Sequence, residues 1–189
     1  MDAFLISTAV IFVAELGDKS QLMALAFATR YKTVPVLIGI TIATAIVHAF
    51  SVVAGAAAEA AIPTRPLTIV AALSFIVFGL WTLRGDTLSA EDEARASSQT
   101  GHAILAVGTV FFLAELGDKT MLATVTLATR EEPFGTWLGS TVGMVAADAL
   151  AVVVGRHLGT RLPERTVKVG AAIAFFAFAA GLFVEAFRT

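Results

Sequence analysis

The chain has 189 residues, 57% of them hydrophobic and 15% charged, with a formal net charge of −2 and a mean hydropathy of +0.84. That apolar share exceeds the ~45–50% of ordinary soluble domains and leaves too few charges to coat a surface for water, which disfavours a soluble enzyme, a disordered chain and a nucleic-acid binder with a basic stripe. Cysteine is absent, so disulfides, thiolate metal sites and cysteine nucleophiles are excluded.

A hydrocarbon core about 30 Å thick needs about 20 helical residues. Six apolar stretches approach that length, at 3–29, 34–58, 66–83, 103–129, 133–155 and 169–184. The first and fourth are apolar at both ends, and a charged hexapeptide interrupts each in its middle. The prolines at 35, 63, 66, 133 and 163 fall between stretches or in their first turns, where proline starts a helix and does not kink one. The expected fold is an all-α membrane protein of six transmembrane helices. Met1-Asp2 offers no basic lead-in, so no cleaved signal peptide is expected.

Orientation follows from Lys and Arg in the loops. Arg30, Lys32, Arg84, Arg95, Arg156, Arg161, Arg165 and Lys168 fall on one side, against Arg65, Arg130 and Arg188 on the other. This predicts both termini outside a cell's inner (cytoplasmic) membrane and the central loop in the cytoplasm. That loop is polar and acidic, and its Glu91, Asp92 and Glu93 read as a solvated charge run in a flexible linker.

Displaced by 100 residues, the chain aligns with itself without gaps. AELGDKS at 14–20 falls on AELGDKT at 114–120; Gly39, Gly55 and Pro63 fall on Gly139, Gly155 and Pro163, and Phe75 and Phe78 on Phe175 and Phe178. The expected organisation is therefore repeat one at 1–84, a linker at 85–102 and repeat two at 103–189. Three spans per repeat is an odd number, so the second repeat enters the membrane from the opposite side. Such inverted-topology repeats recur in secondary transporters, whose substrate sites lie near the midplane on interrupted helices.

Each hexapeptide starts about 12 residues into its span, near the bilayer centre at 1.5 Å per residue. An ionised side chain there costs roughly 2.5–3.5 kcal/mol even on the lenient insertion scale, so six uncompensated charges cost on the order of 15–20 kcal/mol. These side chains must face one another, water or an ion. On a regular helix Glu15, Asp18, Lys19 and Leu22 share one face, while Gly17 and Gly117 offer places for the backbone to open. Convergence of the copies collects Glu15, Asp18, Glu115 and Asp118, with the hydroxyls of Ser20 and Thr120 nearby. Hard oxygen donors suit Ca²⁺, Mg²⁺ or Mn²⁺. Four carboxylates and the two lysines, Lys19 and Lys119, sum to −2, which one divalent cation neutralises. The competing reading makes Glu15–Lys19 and Glu115–Lys119 i,i+4 pairs that glue helices.

The doubled E-x-G-D-[KR]-[ST] motif, in a six-span chain with a polar central loop, resembles the signature of the Gdt-type cation exchanger family of Golgi, thylakoid-envelope and bacterial exchangers. The resemblance covers essentially the whole chain, and both copies match at every defined position. It implies a proton-coupled exchanger of Mn²⁺ and, in some members, Ca²⁺, with Glu15, Asp18, Glu115 and Asp118 at the cation-binding positions. Proton coupling comes from the resemblance alone.

His48 and Asp148 occupy matching positions inside apolar spans, each 33 residues after a motif glutamate. Asp148 is the candidate proton carrier, with a helix–helix hydrogen bond as the alternative for both. Gln21 offers an amide oxygen and reads equally as ligand or packing; Met121, in its place in the second copy, offers a thioether, but it and Met23 are read first as packing. No glycine-rich phosphate loop is present, so energy is expected from an ion gradient and no permanently bound cofactor is expected. The expected partners are a divalent cation, protons and the bilayer, without nucleic acid. The expected function is export of Mn²⁺, with Ca²⁺ as second cargo, in exchange for H⁺, and not enzymatic. A passive divalent-cation channel and an exporter of a cationic organic solute remain the alternatives.

Overall fold

The computed structural model describes residues 1–84, 94, 102–158 and 164–188, and among these it is helical with no strand. The expected linker acids Glu91, Asp92 and Glu93, with Arg95, Arg161 and Pro163, lie outside the described residues. The helices are α1 (Asp2–Glu15), α2 (Lys19–Arg30), α3 (Thr33–Ala61), α4 (Thr64–Arg84), α5 (Ala103–Glu115), α6 (Lys119–Ala128), α7 (Pro133–Leu158) and α8 (Glu164–Arg188). Among the described residues four segments are long and apolar enough to cross a membrane: Thr33–Ala61, Thr64–Arg84, Pro133–Val154 and Lys168–Arg188.

Of the two expectations for each hexapeptide, a regular helix and a backbone opening at its glycine, the second holds. α1 stops at Glu15 and α2 restarts at Lys19; α5 and α6 break at the equivalent point. The cause is local. Leu16 is extended, Gly17 adopts φ +77° and Asp18 is extended again; Leu116, Gly117 at φ +79° and Asp118 repeat the sequence of conformations. A left-handed residue ends an α-helix, and glycine takes that conformation without a Cβ clash. The residue four places on closes each break: the Gly17 amide donates to Gln21 Oε1 at 2.9 Å, and the Gly117 amide to Met121 Sδ at 3.1 Å. Glu15, Asp18, Lys19 and Leu22 therefore do not share a continuous helical face.

Packing crosses between the repeats. The broken helices of the first copy, α1 and α2, lie on α7, and those of the second, α5 and α6, lie on α3. Close approach needs glycine at the crossings. A Cβ on Gly39 would stand 2.9 Å from the Ile104 carbonyl oxygen, and one on Gly139 would strike the Phe4 carbonyl, the same contact displaced by 100 residues. α3 and α7 meet where the Thr44 hydroxyl donates to Met144 Sδ at 3.4 Å, again a pair 100 residues apart. α4 packs along α8 through a core of Phe75, Phe78, Phe175 and Phe178, with the Phe75 and Phe178 ring centres 4.7 Å apart. These four phenylalanines are core residues or packed against the core; Phe50, Phe134 and Phe187 are exposed.

Candidate functional site

The two breaks put carboxylates at opposite kinds of helix end. Glu15 and Glu115 close α1 and α5, at the negative ends of those helix dipoles, whereas Asp18 and Asp118 open α2 and α6 at the positive ends. The aspartates thus sit where the backbone favours negative charge, and the glutamates where it favours a cation. All four are buried, as are Ser20, Thr120 and Lys119.

The copies come together. Lys19 Nζ pairs with Asp118 Oδ1 at 3.1 Å, and Lys119 Nζ reciprocally pairs with Asp18 Oδ1. Both lysines therefore line the cluster, and each takes the aspartate of the other motif, not the glutamate four residues before it. The break in the helix is the reason, since an i,i+4 pair needs a continuous turn between its members. Ser20 Oγ donates to Asp18 Oδ2 at 3.3 Å, and Thr120 Oγ1 to Glu115 Oε2 at 2.9 Å.

The glutamates are less well served. Neither oxygen of Glu15 has a hydrogen-bond partner among the described residues; nor does Glu115 Oε1, Asp118 Oδ2, or either oxygen of Asp148. Glu15 lies within electrostatic reach of Asp18, Glu115, Asp148 and Lys119, and Glu115 within reach of Asp118, Asp18 and Asp148. A buried carboxylate without a donor is costly and calls for a proton or a cation. Among the described residues no three His, Asp or Glu side chains are already disposed as one ion's cage; in this arrangement ammonium groups hold the aspartates.

The remaining candidates separate. Asp148, fully buried on α7, faces the motif acids. His48, its counterpart on α3, is equally buried, and its Nδ1 has no hydrogen-bond partner among the described residues. Gln21 is committed at both ends: its oxygen to Gly17 and its Nε2 to the Ala147 carbonyl at 3.0 Å, clamping the first break to α7 beside Asp148. Met121 Sδ accepts from Gly117, and Met23 is in the core as expected. Composition gave no sign of the Arg130 latch, in which the guanidinium donates to Thr68 Oγ1 at 2.6 Å and to Glu185 Oε1 at 2.5 Å. It stands over a cavity of about 300 Å³ lined by Ile6, Phe75, Leu127 and Glu131. The only sequence sign of it was a lone arginine between two apolar stretches.

Comparison with known proteins bears on this cluster. The family model described as "Divalent cation/proton antiporter GDT1" matches residues 3–90 and 103–189. A Vibrio cholerae protein named "Putative manganese exporter" is 32% identical over 166 residues, spanning 86% of this chain and 81% of its own length. A GDT1-like protein of Synechocystis is 29% identical over 197 residues, spanning 95% of each chain. The Saccharomyces cerevisiae protein named "Divalent cation/proton antiporter GDT1" is 26% identical over 240 residues, spanning all of this chain and 86% of its own. No solved structure matches the chain.

Proposed function

Because the chain belongs to the GDT1 family of divalent cation/proton antiporters, we propose that it exports Mn²⁺ across the cytoplasmic membrane in exchange for H⁺, with Ca²⁺ as second cargo. The Vibrio cholerae relative's name supports manganese as the first cargo to test. Each broken pair, α1–α2 and α5–α6, serves as one span, giving three spans per repeat, six in all, and an inverted second repeat. In this topology both termini lie outside and the central loop lies in the cytoplasm.

The observation that carries the reading is the meeting of two buried acidic motifs from opposite repeats, with both oxygens of Glu15 and one of Glu115 lacking a donor among the described residues. Glu15, Asp18, Glu115 and Asp118 supply hard oxygen to the cation. Asp148 adds a fifth carboxylate. Five carboxylates against two ammoniums leave three negative charges; a dication cancels two of them and a proton on Asp148 the third. When metal leaves, protons replace it charge for charge, so H⁺ and metal compete for the same acids. The two repeats rock about the α3–α7 crossing to expose the acids alternately to each side.

The test is uptake into proteoliposomes with an imposed pH gradient, Mn²⁺ and Ca²⁺ separately. Mn²⁺ is expected to move against its own gradient, and Glu15→Gln and Glu115→Gln each to cut the rate by more than about tenfold. Flux that only ever runs down the metal gradient contradicts exchange and marks a channel. Full pH-dependent exchange in Asp148→Asn contradicts the proton role of that residue.

A further inference from the structure

Cation binding at the acids leaves unexplained why each motif carries a lysine. An ammonium that merely compensated its own motif would sit on its own glutamate. Instead Lys19 holds Asp118 and Lys119 holds Asp18. Those aspartates are the residues at the positive helix ends, where the backbone favours negative charge. A divalent ion takes its carboxylate oxygens at about 2.0–2.6 Å, and an ammonium on the same oxygen would be pressed against it as a like charge. The two occupants exclude each other.

We propose that Lys19 and Lys119 are tethered counter-cations, which occupy Asp118 and Asp18 in the cation-free carrier and are displaced when the divalent ion binds. The inference rests on the cation-site reading above and assigns the lysines a role within it. The displaced ammoniums stay tethered beside the cluster and keep their place in its charge balance; a divalent ion takes both aspartates, whereas a monovalent ion cannot replace both. The returning ammoniums also help to expel the cargo, so the lysines trade affinity for turnover. A site whose ligands are free only a fraction of the time binds more weakly by that fraction.

Mn²⁺ binding to purified protein, with transport kinetics in parallel, tests this. Lys19→Gln and Lys119→Gln are expected to bind Mn²⁺ about tenfold more tightly and to turn over more slowly. Lys19→Arg and Lys119→Arg, which keep the charge, are expected to restore wild-type affinity. A structural role alone predicts neither the tightening nor the rescue. Unchanged or weaker binding by the folded glutamine variants, with Glu15→Gln abolishing binding, overturns the lysine role and leaves the cation site standing. Wild-type binding that Glu15→Gln does not weaken overturns both. Should the variants fail to fold, the wild type decides. The Lys19 side chain is 20% exposed, and Mn²⁺ is expected to increase its labelling by a small membrane-permeant amine-directed reagent. Labelling that Mn²⁺ leaves unchanged or lowers overturns the proposal.

Discussion

Outside the membrane-spanning segments, the two glutamates before α7 have opposite environments. Both oxygens of Glu132 accept backbone amides, from Phe134 at 2.8 Å and Gly135 at 2.6 Å, which holds its carboxyl below the ordinary value. The bonded form is the charged one. Its contribution is therefore fully present above the ordinary glutamate value and is lost as pH falls through the lowered one. Burial pushes Glu131 the other way, against the pull of Arg130, so acid relieves that residue while it undoes the Glu132 cap. The expected outcome for Glu132→Gln is a lower amide-exchange protection factor at Phe134 and Gly135 at neutral pH, one that no longer falls as pH drops; protection like the wild type's contradicts the cap. At this scale the sequence identified the acids but not their partners. Glu15–Lys19 spacing left a local pair as the competing reading, and the break at Gly17 hands Lys19 to Asp118 instead. Gln21 read equally as ligand or packing, and its two hydrogen bonds go to the helix break and to α7.

The broken helix is the element on which the site depends. The doubled glycine and the charged hexapeptide marked where the backbone opens, and the apolar stretches marked the long helices closely. α3 at Thr33–Ala61 and α4 at Thr64–Arg84 extend the expected 34–58 and 66–83 by a few polar or small residues at their ends, which hydropathy alone does not count. What periodicity could not give was the sign of φ at Gly17 and Gly117, since glycine permits continuous helix as readily as its end. Gly117 offers a clean test, because a Cβ there meets no atom within 4 Å. Any cost of Gly117→Ala is then conformational, about 1–2 kcal/mol for an L-residue held left-handed. The variant is expected to melt lower and to transport more slowly. Unaltered melting contradicts the view that the left-handed glycine sets the break.

Among the described residues, each half's broken helices rest on the other half's long helix, the repeat-related Thr44 and Met144 meet, and the Lys19–Asp118 pair is mirrored by Lys119–Asp18. The hundred-residue offset announced two similar halves but not this exchange, because sequence similarity between units says nothing of which faces they present to one another. The exchange makes the acidic cluster joint property of both halves. Glu15 and Glu115, far apart in sequence, lie within electrostatic reach of each other, and neither half holds the set alone. Equilibrium Mn²⁺ binding to the purified protein, counted per chain, tests this most directly. The account predicts a single equivalent, lost when either Glu15 or Glu115 alone is changed to Gln. Binding of more than one equivalent, with each substitution removing only its own share, would contradict it.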